Sequence, residues 1–289
     1  MAVLRMASSC YICILERAGF ECELLSLPED LSLAAIHELL DFMASHKGDV
    51  PAIVGTEREL IIKRVSGVAD PYRRLKEESN AVARELLPVA VRFYDENEDK
   101  MEALVRIAAA ANSMEFGVRG HEFDNRSFSS VFEETLREDL AGDLDALKKL
   151  LAGSSKIFYL TDNAGEVVFD LFVIEKLRGM GKRVVIGPKA EPILNDVTAD
   201  ELREMTDAEM VPTGGVVGIS LDRINPEARR LLFDPEWLVI AKGMGNFETI
   251  SEFEGSLKGR LIYILRAKCE PVARANRVRR GSLVARAYL

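Results

Sequence analysis

Lys156-Ile-Phe-Tyr-Leu-Thr-Asp-Asn-Ala-Gly-Glu166 decides the fold. A short apolar strand over 156–161 runs directly into the polar pair Asp162-Asn163, and a helical apolar pattern follows from Val167 to Leu177. The chain then repeats this alternation. Gly179-Met-Gly181 ends the helix and Arg183-Val-Val-Ile186 makes the next strand. A helix over 198–205 and a short strand over 209–212 come next. Two buried strands follow, Trp237-Leu-Val-Ile-Ala241 and Leu261-Ile-Tyr-Ile-Leu265. Short apolar strands alternating with helices predict an α/β fold, a mainly parallel sheet with helices on both faces.

Upstream of Lys156 the periodicity is helical. Leu33 to Met43 and Leu75 to Tyr94 carry helical apolar spacing, the second with Pro88 as a break or kink. Residues 101–118 are rich in helix formers and end near Gly117 and Gly120. Residues 120–130 read as a polar loop, and a further helix is expected over 131–151, closed by Gly153-Ser-Ser155. The change of character predicts two domains: an all-helical one over 1–153 and an α/β one over 154–289.

The 289 residues are nearly half apolar, enough for a sizeable core. No apolar run approaches the roughly 18 residues of a membrane span. The N-terminus is interrupted by Arg5 and Glu16 and reads as a helix start, not a signal peptide, so a cytoplasmic location is expected. The net charge of −9 is uneven, −10 over 1–150 and +1 over 151–289. An acidic half does not suit a nucleic-acid clamp. The basic cluster Arg274, Arg277, Arg279 and Arg280 reads as a solvated helix end. Cys10, Cys13, Cys22 and Cys269 are too few for a disulfide scaffold. Cys10-x-x-Cys13 has metal or redox spacing, but buried helix cysteines are the commoner use of such a pair. His37, His46 and His121 fall outside every strand-end motif and read as surface or structural.

In an open α/β sheet, ligands bind beyond the carboxyl ends of the strands. Four strand ends here carry polar residues: Asp162-Asn163-Ala-Gly-Glu166, Pro188 to Asp196, Lys242-Gly-Met-Gly-Asn246, and Arg266-Ala-Lys-Cys269. Asp162, Asn163 and Asp196 offer hard oxygen donors, which suit magnesium or manganese. Lys242 and Lys268 supply charge for phosphate oxygens. Gly243 and Gly245 let backbone amides approach an anion, with a helix starting near Asn246. Each residue has a plainer reading. Asp-Asn can be an Asx turn, Asp196 an N-cap, Gly243-x-Gly245 part of a dinucleotide fingerprint, and Lys268 a strand-edge charge. Glu166 either orients water or complements a helix dipole. Asn112 either reaches the pocket from the helical half or is an ordinary polar helix residue. Taken together, the set favours a metal-and-phosphate site.

These stretches resemble the damage-control phosphatase family, also known as domain-of-unknown-function-89. The matching segments are Thr161-Asp-Asn-Ala-Gly-Glu-Val-Val-Phe-Asp170, Leu194-Asn-Asp-Val-Thr198, Ala241-Lys-Gly-Met-Gly-Asn-Phe-Glu248 and Ala267-Lys-Cys-Glu-Pro-Val-Ala273. Cys10-x-x-Cys13 looks like its cysteine-motif subfamily. The resemblance implies a helical region packed on a Rossmann-like α/β domain. It implies a divalent metal (Mg, Mn, Co or Ni) at Asp162, Asn163 and Asp196. It places substrate-phosphate contacts at Lys242 to Asn246 and at Lys268, with small phosphorylated metabolites such as sugar phosphates as substrates. Many relatives carry Gly-Asn followed by Asp in the helical half, where this chain has Ala111-Asn112-Ser-Met-Glu115, so a substrate role for Glu115 departs from the pattern. Some relatives were named protein carboxyl methyltransferases, but no glycine-rich S-adenosylmethionine loop follows the first strand here. A non-catalytic phosphometabolite-binding protein is the third reading. Either water or Asp162 attacks phosphorus. Ala164 stands where an aspartyl-phosphate enzyme usually has a second Asp, which leans toward water.

Overall fold

The computed structural model describes residues 4–113 and 125–289. Three helices come first: α1 (Ser8–Leu24), α2 (Glu29–Ser45) and α3 (Pro51–Ser66). They share a small core of their own, built from Ile14, Ala18, Leu39, Val54 and Ile61 among others. Then come α4 (Arg73–Glu96) and α5 (Lys100–Ser113). α4 runs through Pro88 without a break. Pro88 and Arg84 both lie on its exposed side, so the carbonyl that loses its partner can take water.

The remaining elements are α6 (Asn125–Thr135), β1 (Leu140–Ala141), α7 (Leu144–Gly153), β2 (Lys156–Leu160), α8 (Glu166–Gly179), β3 (Arg183–Gly187), α9 (Ala199–Arg203), α10 (Pro226–Phe233), β4 (Leu238–Lys242), α11 (Gly243–Ile250), β5 (Leu261–Arg266), α12 (Glu270–Asn276) and β6 (Leu283–Tyr288). The strands form one sheet in the order β1-β6-β5-β4-β2-β3. Neighbours are parallel except β5 and β6. This is the expected α/β sheet. Its pleat sorts the side chains cleanly. Ile157, Tyr159, Ile240 and Ile262 face one layer with α4, α5 and α8, while Phe158, Leu160, Val239 and Tyr263 face the other with α10, α11 and α12. The first of these clusters is continuous from Ala83 on α4 to Ala285 on β6, so it crosses residue 153. The α1–α3 group keeps a core cluster of its own, and α3 also packs against α11.

Three local expectations are corrected. The single helix over 131–151 is instead α6, a two-residue strand and α7. Asp143 caps α7 by accepting the Ala146 N–H at 2.9 Å. Gly142 sits at φ +146°, and a Cβ there would lie 1.9 Å from the Ala285 carbonyl oxygen, so only glycine lets β1 reach β6. The strand over 209–212 is reduced to one bridge between Met210 and Ile186. The last strand, β6, was not anticipated. Part of the 101–118 helix, with Glu115 and His121, lies outside the described residues.

Candidate active site

β2 lies between β3 and β4, and the chain leaves it first to one side and later to the other. That makes its carboxyl end a topological switch point, where a crevice opens in sheets of this kind. Asp162 and Asn163 stand there. The loop after β3 comes alongside: Asn163 and Asp196 form an isolated bridge, Ala164 N–H donates to Asn195 O at 2.8 Å, and Val197 N–H donates to Asp162 O at 3.0 Å. Backbone pairing thus sets the two acidic loops edge to edge.

Asn112, near the end of α5, joins the helical layer to the segment after β2 and to the end of β5. Its Nδ2 donates to Asp162 Oδ2 at 2.9 Å and to Glu166 Oε2 at 2.8 Å, and its Oδ1 accepts the Arg266 N–H at 2.9 Å. Asn163 Nδ2 donates to Asp162 Oδ2 at 2.8 Å. On α4, Asn80 Oδ1 accepts the Gly165 N–H at 2.7 Å. The second loop is held by Lys189, whose ammonium donates to Gly218 O at 2.6 Å and lies 3.5 Å from Asp196 Oδ2.

The electrostatics of this cluster are strained. Burial raises the Asp162 carboxyl well above the usual carboxylate range, and the charges of Glu166 and Asp196 push it further. Burial likewise raises Asp196 to about 6, against the pull of Lys189. Gly243 lets this happen at close quarters. It sits at φ +76°, and a Cβ there would fall 1.8 Å from Asp162 Oδ2. The Gly243-x-Gly245 pair is therefore the first turn of α11 and a seat for a carboxylate, not a loop ahead of the helix.

Asp162, Asn163, Asp196, Asn112, Gly245 and Lys268 all border one cavity of about 260 Å³. Among the described residues, no three His, Cys, Asp or Glu side chains form a ready-made metal cage. Two aspartates and one asparagine do fit an oxygen-loving divalent ion, which characteristically keeps waters and takes a ligand from substrate phosphate. The surplus of buried negative charge fits the same ion.

A family model described as the damage-control phosphatase ARMT1-like domain matches residues 6–284. The chain belongs to this family. A damage-control phosphatase of Archaeoglobus fulgidus is 31% identical over 98% of this chain and 99% of its own length. One from Pyrococcus horikoshii is 32% identical over 81% of this chain and 80% of its own. The crystal structure of a DUF89 family protein from Pyrococcus horikoshii superposes with a TM-score of 0.87 at 28% identity, covering 99% of this chain and 100% of that one.

In this member of the damage-control phosphatase family, three of the expected substrate contacts have protein partners instead. Lys242 is fully buried, and its ammonium donates to Glu166 Oε1 and, at 2.6 Å, to Asp170 Oδ1. Asn246 Nδ2 donates to Thr161 O at 3.0 Å and Lys242 O at 2.7 Å, tying α11 to β2. Asn112 borders the cavity, but its amide is engaged on both sides. Lys268 and Gly245 remain on the cavity wall. Sequence reading missed Lys189, Asn80, Asp170 and Glu248. Lys189 lay inside the stretch already singled out after β3, and a lysine there was the available signal. All four cysteines are free thiols. Cys13 borders the cavity, and burial raises the Cys269 thiol to about 11. A thiol-bound metal at Cys10, Cys13 and Cys269 finds no support among the described residues.

Glu248 on α11 also borders the cavity, and burial pushes its carboxyl up from 4.5 to about 8. A carboxyl that binds its proton more tightly when folded stabilises fully below its unfolded value. That contribution is lost as pH rises through the folded value. The loss for Glu248 therefore spans pH 4.5 to about 8. Glu248→Gln is expected to gain on wild type by about 2–4 kcal/mol between pH 5 and pH 9. Denaturant unfolding of both proteins at the two pH values checks this, and a pH-independent gap would contradict it.

Proposed function

We propose that this protein hydrolyses small phosphate monoesters, sugar phosphates among them, with a divalent metal held by Asp162, Asn163 and Asp196. The carrying observation is the edge-to-edge placement of those three oxygen donors beside Lys268 in one cavity. The family and the named relatives support phosphatase chemistry in metabolite damage control. No described helix is long and apolar enough to cross a membrane.

The bound metal would polarise the phosphoryl group and neutralise charge developing on it. Lys268 holds a further phosphate oxygen from the cavity wall. Met244 and Gly245 bring the first turn of α11 to the cavity, where helix N–H groups without partners favour an anion. Glu166 is not free to take a proton from water. Lys242 occupies its Oε1, and Asn112 and Asn163 occupy its Oε2. Its role is to anchor the two asparagines. Asn112 and Asn163 both donate to Asp162 Oδ2, which orients the carboxylate toward the cavity.

The test is phosphate release from an aryl phosphate and a sugar-phosphate panel, after chelator stripping and add-back of Mg²⁺, Mn²⁺, Co²⁺ or Ni²⁺. Turnover is expected to vanish with chelator and return with metal. A folded protein that binds metal and turns over nothing would move the assignment to a phosphometabolite-binding protein.

A further inference from the structure

The cleft carries a second set of charged side chains that the metal chemistry does not use. Arg17 and Arg58 border the same cavity as Asp162 and Asp196, but they come from α1 and α3 and not from strand ends. Cys13, Ile14 and Arg17 share one face of α1, and that face lines the cleft. Arg17 is half-buried and makes no ion pair or hydrogen bond to any described residue. Arg58 is only 5% exposed. Its guanidinium lies 2.8 Å from Glu21 Oε1, and Glu21 is fixed in turn by the Tyr72 hydroxyl at 2.7 Å. Arg58 Nε has no hydrogen-bond partner among the described residues. A guanidinium offers five N–H donors, and leaving them dry and unmet is costly. One under-bonded arginine and one unpaired arginine thus line the cavity that Asp162 and Asp196 also line.

We propose that these two arginines bind a second anionic group on the substrate, a carboxylate or a phosphate. It rests on the phosphatase reading above and narrows it: favoured substrates carry a phosphate ester at one end and another anion a few carbons away. The cavity of about 260 Å³ sits at the small end of ligand sites, so a short molecule reaches both sets of side chains. A neutral hydroxyl tail would leave Arg17 without counter-charge, while Arg58 keeps only Glu21.

The experiment uses 3-phosphoglycerate, glycerol 3-phosphate and glycerol 1,3-bisphosphate with wild type and Arg17→Gln. The first two share the ester and the skeleton and differ in a carboxylate against a hydroxymethyl group. In wild type, kcat/KM for at least one doubly anionic compound is expected to exceed that for glycerol 3-phosphate about tenfold or more, through KM. In Arg17→Gln that ratio is expected to fall toward one. A gain for 3-phosphoglycerate identifies a carboxylate subsite, and a gain for the bisphosphate alone identifies a phosphate subsite. Calorimetric titration of chelator-treated protein reads the same ratio as Kd, without turnover. A ratio near one for both pairs in wild type, or a preference that Arg17→Gln leaves intact, overturns the proposal. A binding preference without hydrolysis of any compound would instead overturn the phosphatase reading and leave the subsite standing.

Discussion

Asp162→Asn is expected to lower metal-dependent phosphate release by a factor on the order of 10³ or more, while the metal-free protein unfolds at or above the wild-type temperature. The two halves of this result have one cause. Asp162 is only partly exposed and lies beside Glu166 and Asp196, whose charges outweigh the opposing pull of Lys268. Such an arrangement is poor for folding and good for capturing a divalent ion. An amide at 162 keeps the shape, and its oxygen still accepts from Asn112 and Asn163. It removes one charge from a repelling cluster and one hard donor from the proposed metal site. Thermal unfolding in chelator, metal titration and initial rates on the same preparation separate the effects. A variant that loses activity because it melts well below wild type would show that Asp162 works through the fold and not through a bound ion.

The sheet was legible because its central strands are continuous apolar runs, such as Ile157 to Leu160, that can only be buried on both faces. β6 was hidden because Arg286 and the flanking arginines break its apolar character. Its outer edge pairs with only two residues of β1. The break between α6 and α7 was hidden because the cause lies far away in sequence, at the Ala285 carbonyl that crowds Gly142. The same limit governs the site. Asp162 and Asn163 stood out because polar residues directly after a buried strand need a reason, and Asp196 because it ends the polar loop after β3. Lys242 looked like a phosphate ligand for the same reason. Its register, however, points it into the sheet's helical layer, where Asp170 waits one helical turn beyond Glu166. Strand-end position identifies the residues near a site. Which way each side chain turns is set by partners on α4, α5 and α8 that no local pattern announces.

Lys242→Met is expected to cost about 3–5 kcal/mol, the typical cost of breaking a buried ion pair from one side. For a chain of this size that is a fall in melting temperature of about 6–15 °C. Burial works against the Lys242 charge, but Asp170 and Glu166 together outweigh it and hold the ammonium above its ordinary range. Without the lysine, two fully buried carboxylates face each other. Burial already raises Asp170 to about 6, and Tyr159, donating at 2.6 Å, remains its other hydrogen-bond partner. Adding Asp170→Asn to Lys242→Met should recover part of the loss, because it removes one of the stranded charges. The double-mutant cycle should therefore be strongly non-additive. Activity should not recover with stability. Glu166, released from Lys242, no longer anchors Asn112 and Asn163, and those two asparagines aim the Asp162 carboxylate. A double variant that regained full turnover together with its melting temperature would show that the buried lysine serves only the core.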